Sequence, residues 1–224
     1  MNVIICKDKR TVAKEAYKIV RDRVMNCRAK VLGLPTGSTP EGLYSEMVKG
    51  YKKGEIDFSD VHTFNLDEYI GLPPNDPQSY RHFMNKHLFD HVNIKKENVN
   101  FLDGLTSDIE HECARYEEAI VSVGGIKLQV VGIGRDGHIG FNEPGTSLTS
   151  RTHIITLAQS TIEDNARLFF NGKTDKVPKW ALSMGVGTVL DADEVLMIAF
   201  GANKAEAIHG MLEGPITSMN TSSA

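Results

Sequence analysis

Lys127-Leu128-Gln129-Val130-Val131-Gly132-Ile133-Gly134-Arg135-Asp136-Gly137-His138-Ile139-Gly140-Phe141-Asn142-Glu143-Pro144 reads as an apolar run that breaks at glycines into a segment carrying an acid, an imidazole and a second acid. A short apolar run bounded by turn residues has the signature of a buried strand. The glycines allow the backbone to turn sharply beyond it. Ionisable groups just past such a strand match the rule that open α/β sheets bind ligands at the carboxyl ends of their strands.

Comparable short runs recur at residues 3–6, 30–34, 61–66, 153–157 and 194–200. Between them lie longer stretches with helical spacing. Residues 11–27 place Val12, Ala16, Ile19, Val20 and Val24 on one stripe, and residues 108–121 do so with Ile109, Cys113, Tyr116 and Ile120. Thr11 and Asp108 stand near the two helix starts. Strands alternating with such helices predict an α/β fold, a mostly parallel sheet with helices on both faces. No repeat or long linker divides the 224 residues, so a single domain over 1–224 is expected. Residues 71–78, with Pro73, Pro74 and Pro77, form the stiffest connection, Trp180 is expected in the core, and polar residues 214–224 are expected to fray or to mark a truncated end.

Composition narrows the function. A formal net charge of -4 gives no broad basic surface for a nucleic-acid backbone, so an anionic ligand must be held locally. Cys6, Cys27 and Cys113 are scattered without metal or redox spacing, which points to reduced thiols. No apolar run approaches the roughly 18 residues of a membrane span. A cytoplasmic protein without membrane or nucleic-acid partners is the expectation.

Three constellations carry chemistry. In Leu32-Gly33-Leu34-Pro35-Thr36-Gly37-Ser38-Thr39-Pro40 a strand turns into a helix bearing Leu43, Tyr44 and Met47. Backbone N–H groups there, with the hydroxyls of Thr36, Ser38 and Thr39, can cradle phosphate, although a plain capped helix gives the same pattern. Phe64-Asn65-Leu66-Asp67-Glu68-Tyr69 ends a strand with adjacent carboxyls, of which only one can face a pocket. From pattern alone a surface acidic pair is the simpler reading. Asp136, His138 and Glu143 admit a metal site, a structural turn or an acid–base cluster. No second histidine or cysteine lies at ligand spacing, so proton transfer is favoured, with the carboxylates orienting the imidazole and raising its proton affinity. Arg167 and Lys204 are further candidate anion ligands, although taken singly a solvated surface charge is the simpler reading of each.

In this order, together with Gly185-Val186-Gly187-Thr188, the motifs make the chain resemble the glucosamine-6-phosphate deaminase (isomerase) family along its whole length. The resemblance implies a modified Rossmann-like fold and conversion of glucosamine 6-phosphate and water to fructose 6-phosphate and ammonia, with no metal or organic cofactor. It makes Asp67 the base that moves a proton between C2 and C1. It assigns ring opening to His138, held and charged by Asp136 and Glu143, and the phosphate to Thr36, Gly37, Ser38, Thr39, Arg167 and Lys204. Allosteric members use basic residues where this chain has His153 and Ile155, so that regulatory site is not expected here. Homologues usually continue past the position of Ala224, and both monomers and homo-oligomers are compatible with the resemblance. A 6-phosphogluconolactonase-type hydrolase and a non-catalytic sugar-phosphate sensor are the alternatives.

Overall fold

The computed structural model describes residues 1–224, except the side chains of 160, 168 and 169. Strands β1 (Val31–Leu34), β2 (His62–Asn65), β4 (Val99–Asn100), β5 (Leu128–Val131) and β8 (Val195–Met197) form one sheet in the order β4-β2-β1-β5-β8, parallel at every pairing. A second, antiparallel sheet runs in the order β3-β7-β6, from β3 (Asp67–Tyr69), β7 (Trp180–Ser183) and β6 (His153–Thr156). The helices are α1 (Lys9–Asn26), α2 (Glu41–Lys52), α3 (Tyr80–His87), α4 (Ile109–Ser122), α5 (Gln159–Phe169), α6 (Val186–Leu190) and α7 (Ala205–Glu213).

Side chains alternate along the parallel strands and so divide the core. Leu32, Leu34, Leu128 and Val130 pack against Val20 and Val24 of α1 and Leu43, Tyr44 and Met47 of α2. Val31, Phe64 and Val131 point the other way, onto Tyr116 and Ile120 of α4 and Val186 and Val189 of α6. Each face is therefore covered by helices, as the strand–helix alternation requires. Gly33 lies opposite Gln129 in the register, and a Cβ there would come 1.9 Å from Gln129 Oε1, so only glycine lets this buried amide lie across the sheet. Asp108 caps α4 by accepting the His111 N–H at 3.0 Å. Helix α1 begins two residues before Thr11, because Asp8 accepts the Thr11 N–H at 2.7 Å.

Four expectations are corrected. Residues 3–6 form no strand, and Val3, Ile4 and Ile5 are exposed, since both neighbours of β1 are already taken by β2 and β5. The run at 153–157 becomes an antiparallel strand of the second sheet instead of another parallel one. Trp180 opens β7 and shares a face with Leu182, but it is outside the core cluster that holds Leu182 and is 51% exposed. The segment 214–224 is anchored and not frayed: Thr221 is buried, its Oγ1 accepts the Ile139 N–H at 3.2 Å and donates to Asn142 O at 3.1 Å, and the Ser222 N–H donates to Gly137 O at 2.9 Å. No helix among the described residues is long and apolar enough to cross a membrane.

Candidate active site

The parallel order reverses direction at β1 and β5, where the chain winds first toward β2 and β4 and later toward β8. The loops after these strands leave a crevice at such a switch point. A cleft of about 620 Å³ occupies it, within the range of small-molecule sites. Its walls include Thr36, Gly37, Ser38 and Thr39 after β1, Asp67 at the start of β3, Asp136 and His138 after β5, and Arg167 with Lys204. Glu143 stands behind this lining and reaches it through His138.

The loop after β5 is shaped for its imidazole. The Gly134 N–H donates to His138 O at 2.8 Å, Asp136 Oδ1 accepts the His138 N–H at 3.2 Å, and Gly137 turns at φ 88. A Cβ on Gly134 would stand 2.4 Å from His138 Nδ1, so the ring fits only over glycine. Nδ1 lies 2.7 Å from Asp136 Oδ1 and 3.5 Å from Glu143 Oε2, ion-pair contacts that leave it without a well-aligned hydrogen bond. Burial works against a charged imidazole here, but the two carboxylates outweigh it and push His138 up to about 9. Asp136 is in turn held well below the usual carboxylate range by His138. The donor atoms of Asp136, His138 and Glu143 lie within 4.8 Å of one another, close enough to surround a cation. A histidine that holds its proton to pH 9 is, however, poorly disposed to release it to a metal.

Asp67 owes its place to the crossing between the two sheets. The Leu66 N–H still donates to Leu34 O at 3.2 Å, as a member of the parallel sheet, whereas Asp67 already pairs with Ser183. Beneath this crossing, Tyr116 Oη donates to Asn65 O at 2.7 Å. Successive side chains then diverge: Asp67 enters the cleft, and Glu68 accepts the N–H groups of Tyr69, Tyr80 and Arg81, each at 2.9 Å. Both are buried, which corrects the reading of a surface acidic pair. Burial first, and Glu68 second, push the Asp67 carboxyl up to about 8, with His138 opposing them.

At the cationic wall, burial and then neighbouring Arg135 lower the Lys204 ammonium. The turn after β1 is fixed from below by Tyr44, whose hydroxyl donates to Pro35 O. Sequence reading missed Thr161, which donates to Glu143 Oε1 at 2.6 Å, and Tyr80, which lines the cleft stacked on Phe141. The polar spacing Thr161, Asp164, Asn165 on α5 could have flagged the first, since i, i+3 and i+4 share a helix face. Tyr80 gives no local signal.

A carboxyl-edge cleft with an acid–imidazole–acid cluster, a separate buried aspartate and a wall of hydroxyls and cations defines an α/β enzyme of small anionic substrates. The family described as glucosamine-6-phosphate isomerases/6-phosphogluconolactonase matches residues 7–222, and the chain belongs to it. It is 49% identical over 217 residues to a glucosamine-6-phosphate deaminase of Thermoanaerobacter sp. (strain X514), covering 97% of this chain and 85% of the relative. A solved monomeric glucosamine-6-phosphate deaminase superposes with a TM-score of 0.96 at 42% identity, covering 100% of this chain and 92% of that one. The 6-phosphogluconolactonase of Thermotoga maritima shares the fold at a TM-score of 0.72 and 18% identity, over 98% of this chain and 92% of that one.

Proposed function

We propose that this protein, working as one domain in the cytoplasm, converts glucosamine 6-phosphate and water to fructose 6-phosphate and ammonia with its own side chains alone. The reading is carried by one observation: Asp67 and His138, each with its proton affinity raised to near or above neutrality, line a single cleft with the Thr36–Thr39 turn, Arg167 and Lys204. Phosphate bound to that turn and those cations fixes the sugar, and binding at the non-reacting end is what aligns the reacting one. His138, charged by Asp136 and Glu143, gives a proton to the ring oxygen while the C1 hydroxyl proton passes to solvent, which opens the pyranose to the aldehyde. Asp67 then takes the C2 proton as O1 gains one from solvent, giving the enolamine, and returns its proton to C1. The resulting ketimine adds water and expels ammonia. The unpaired Cys6, Cys27 and Cys113 suit a reducing compartment.

Lactone hydrolysis is the second reading, because the same fold serves it. Ammonia release from glucosamine 6-phosphate, coupled to detection of fructose 6-phosphate, should be robust while 6-phosphogluconolactone hydrolysis stays at background. The opposite ratio would reject the deaminase. Adding N-acetylglucosamine 6-phosphate to the same assay should not raise the rate, since His153 and Ile155 offer no strong cationic grip.

Glu68 supplies a separate check. Its carboxylate satisfies three backbone N–H groups at the entry to α3, and glutamine offers only one acceptor oxygen. Glu68→Gln should cost about 2–3 kcal/mol in denaturant unfolding. It also removes a charge that raises Asp67, so the acidic limb of kcat/KM should move to lower pH. An unmoved limb would show that the limb does not report Asp67.

A further inference from the structure

Each oxygen of the Asp164 carboxylate holds a different arginine. Arg135 Nη2 lies 2.7 Å from Oδ2, and Arg167 Nη2 lies 3.0 Å from Oδ1. All three side chains line the cleft, as does Lys204, whose ammonium is close enough to Arg135 to feel its charge. Arg135 comes from the loop after β5 and Arg167 from α5, so Asp164 draws together guanidiniums from two elements. We propose that Arg135 is a third cationic contact for the substrate phosphate, positioned beside Arg167 and Lys204 by Asp164. This assignment rests on the phosphate end proposed above.

Charge and geometry support it. Arg135, Arg167 and Lys204 against Asp164 sum to two positive charges, the complement of a phosphate monoester dianion, with Asp136 and Lys9 also in the lining. A guanidinium offers a planar pair of donors to phosphate oxygens, which an ammonium cannot. With Arg135 and Arg167 exposed by 56% and 69%, their pairs with Asp164 are weak, so phosphate can take over donors at little cost. Arg135 also directly precedes Asp136, which touches His138. The backbone that bears the acid–base cluster therefore bears a phosphate contact as well.

The test is calorimetric titration of the full chain with inorganic phosphate, alongside steady-state kinetics on glucosamine 6-phosphate. Arg135→Ala should weaken phosphate binding and raise KM about tenfold, with kcat falling less than about twofold, the signature of lost uniform binding. Arg135→Lys, which keeps charge but loses the fork, should fall between the two and decides the matter if the alanine variant fails to fold. Phosphate affinity and KM within about twofold of wild type in Arg135→Ala, or in Arg135→Lys the same values as wild type where the alanine variant does not fold, would overturn the assignment. A wild-type chain that released no ammonia would defeat the functional reading, while the phosphate titration would still judge Arg135.

Discussion

Asp67→Asn should bind glucosamine 6-phosphate within about threefold of wild type, yet lower kcat roughly 10³-fold, the scale of a lost general base. Asparagine has nearly the shape of the carboxyl it replaces, and the site is only 7% exposed, so the cleft and its phosphate wall should stay in place. A base must both accept and release the C2 proton, which is easiest when its pKa lies near the working pH. Burial and Glu68 set Asp67 at about 8, which suits the proposed role. His138 is needed in its charged form and holds that proton to about 9. Wild-type kcat/KM should therefore peak between these two values, and the residual activity of Asp67→Asn should lack the acidic limb. A kcat within about tenfold of wild type would remove Asp67 from the reaction.

The same substitution has a thermodynamic signature. The folded-state pKa of about 8 lies above the ordinary value of 3.8, so folding favours the neutral acid. That contribution is full below the lower value and is lost as pH rises through the upper one. Asparagine mimics the neutral form throughout. Wild type and variant should unfold alike in acid, with the variant the more stable at alkaline pH. A stability difference that does not change with pH would mean that Asp67 titrates normally.

Much of this was legible because local pattern and tertiary demand agree. The strands at 30–34, 61–66 and 127–133 are apolar runs bounded by turns, and all three settle into adjacent places in the parallel sheet. Asp136 and His138 are two residues apart, so one turn suffices to bring them together. Asp67 was harder to read, because adjacency to Glu68 suggests solvent and only the crossing from β2 to β3 buries both. The second sheet was unreadable for a related reason: β3 has only three residues, and its partner β7 lies more than a hundred positions away. Thr221 fared worst, since a polar tail with no periodicity gives no sign that its hydroxyl clasps the loop after β5. Arg135 stood in plain view within the motif, but nothing local showed that Asp164, 29 residues on, would hold it beside Arg167.

His138→Gln should separate the two proton transfers. Glutamine keeps a donor that can face Asp136 and Glu143, but it cannot carry the proton that the ring oxygen requires. On cyclic glucosamine 6-phosphate the variant should lose roughly 10²–10³-fold in kcat. An analogue lacking the C5 hydroxyl cannot close the pyranose ring, so it bypasses the step assigned to His138 and still needs Asp67. On that substrate the loss should shrink to less than about tenfold. Stability supplies a control on the charge state: the His138 pKa is raised from 6.5 to about 9, so its contribution is full below the first value and vanishes above the second. The variant should thus be most destabilised in mild acid and approach wild type in alkali. If instead the kinetic deficit were equal on both substrates, the imidazole would belong to the shared C2 to C1 transfer, and ring opening would have to be reassigned to another group in the cleft.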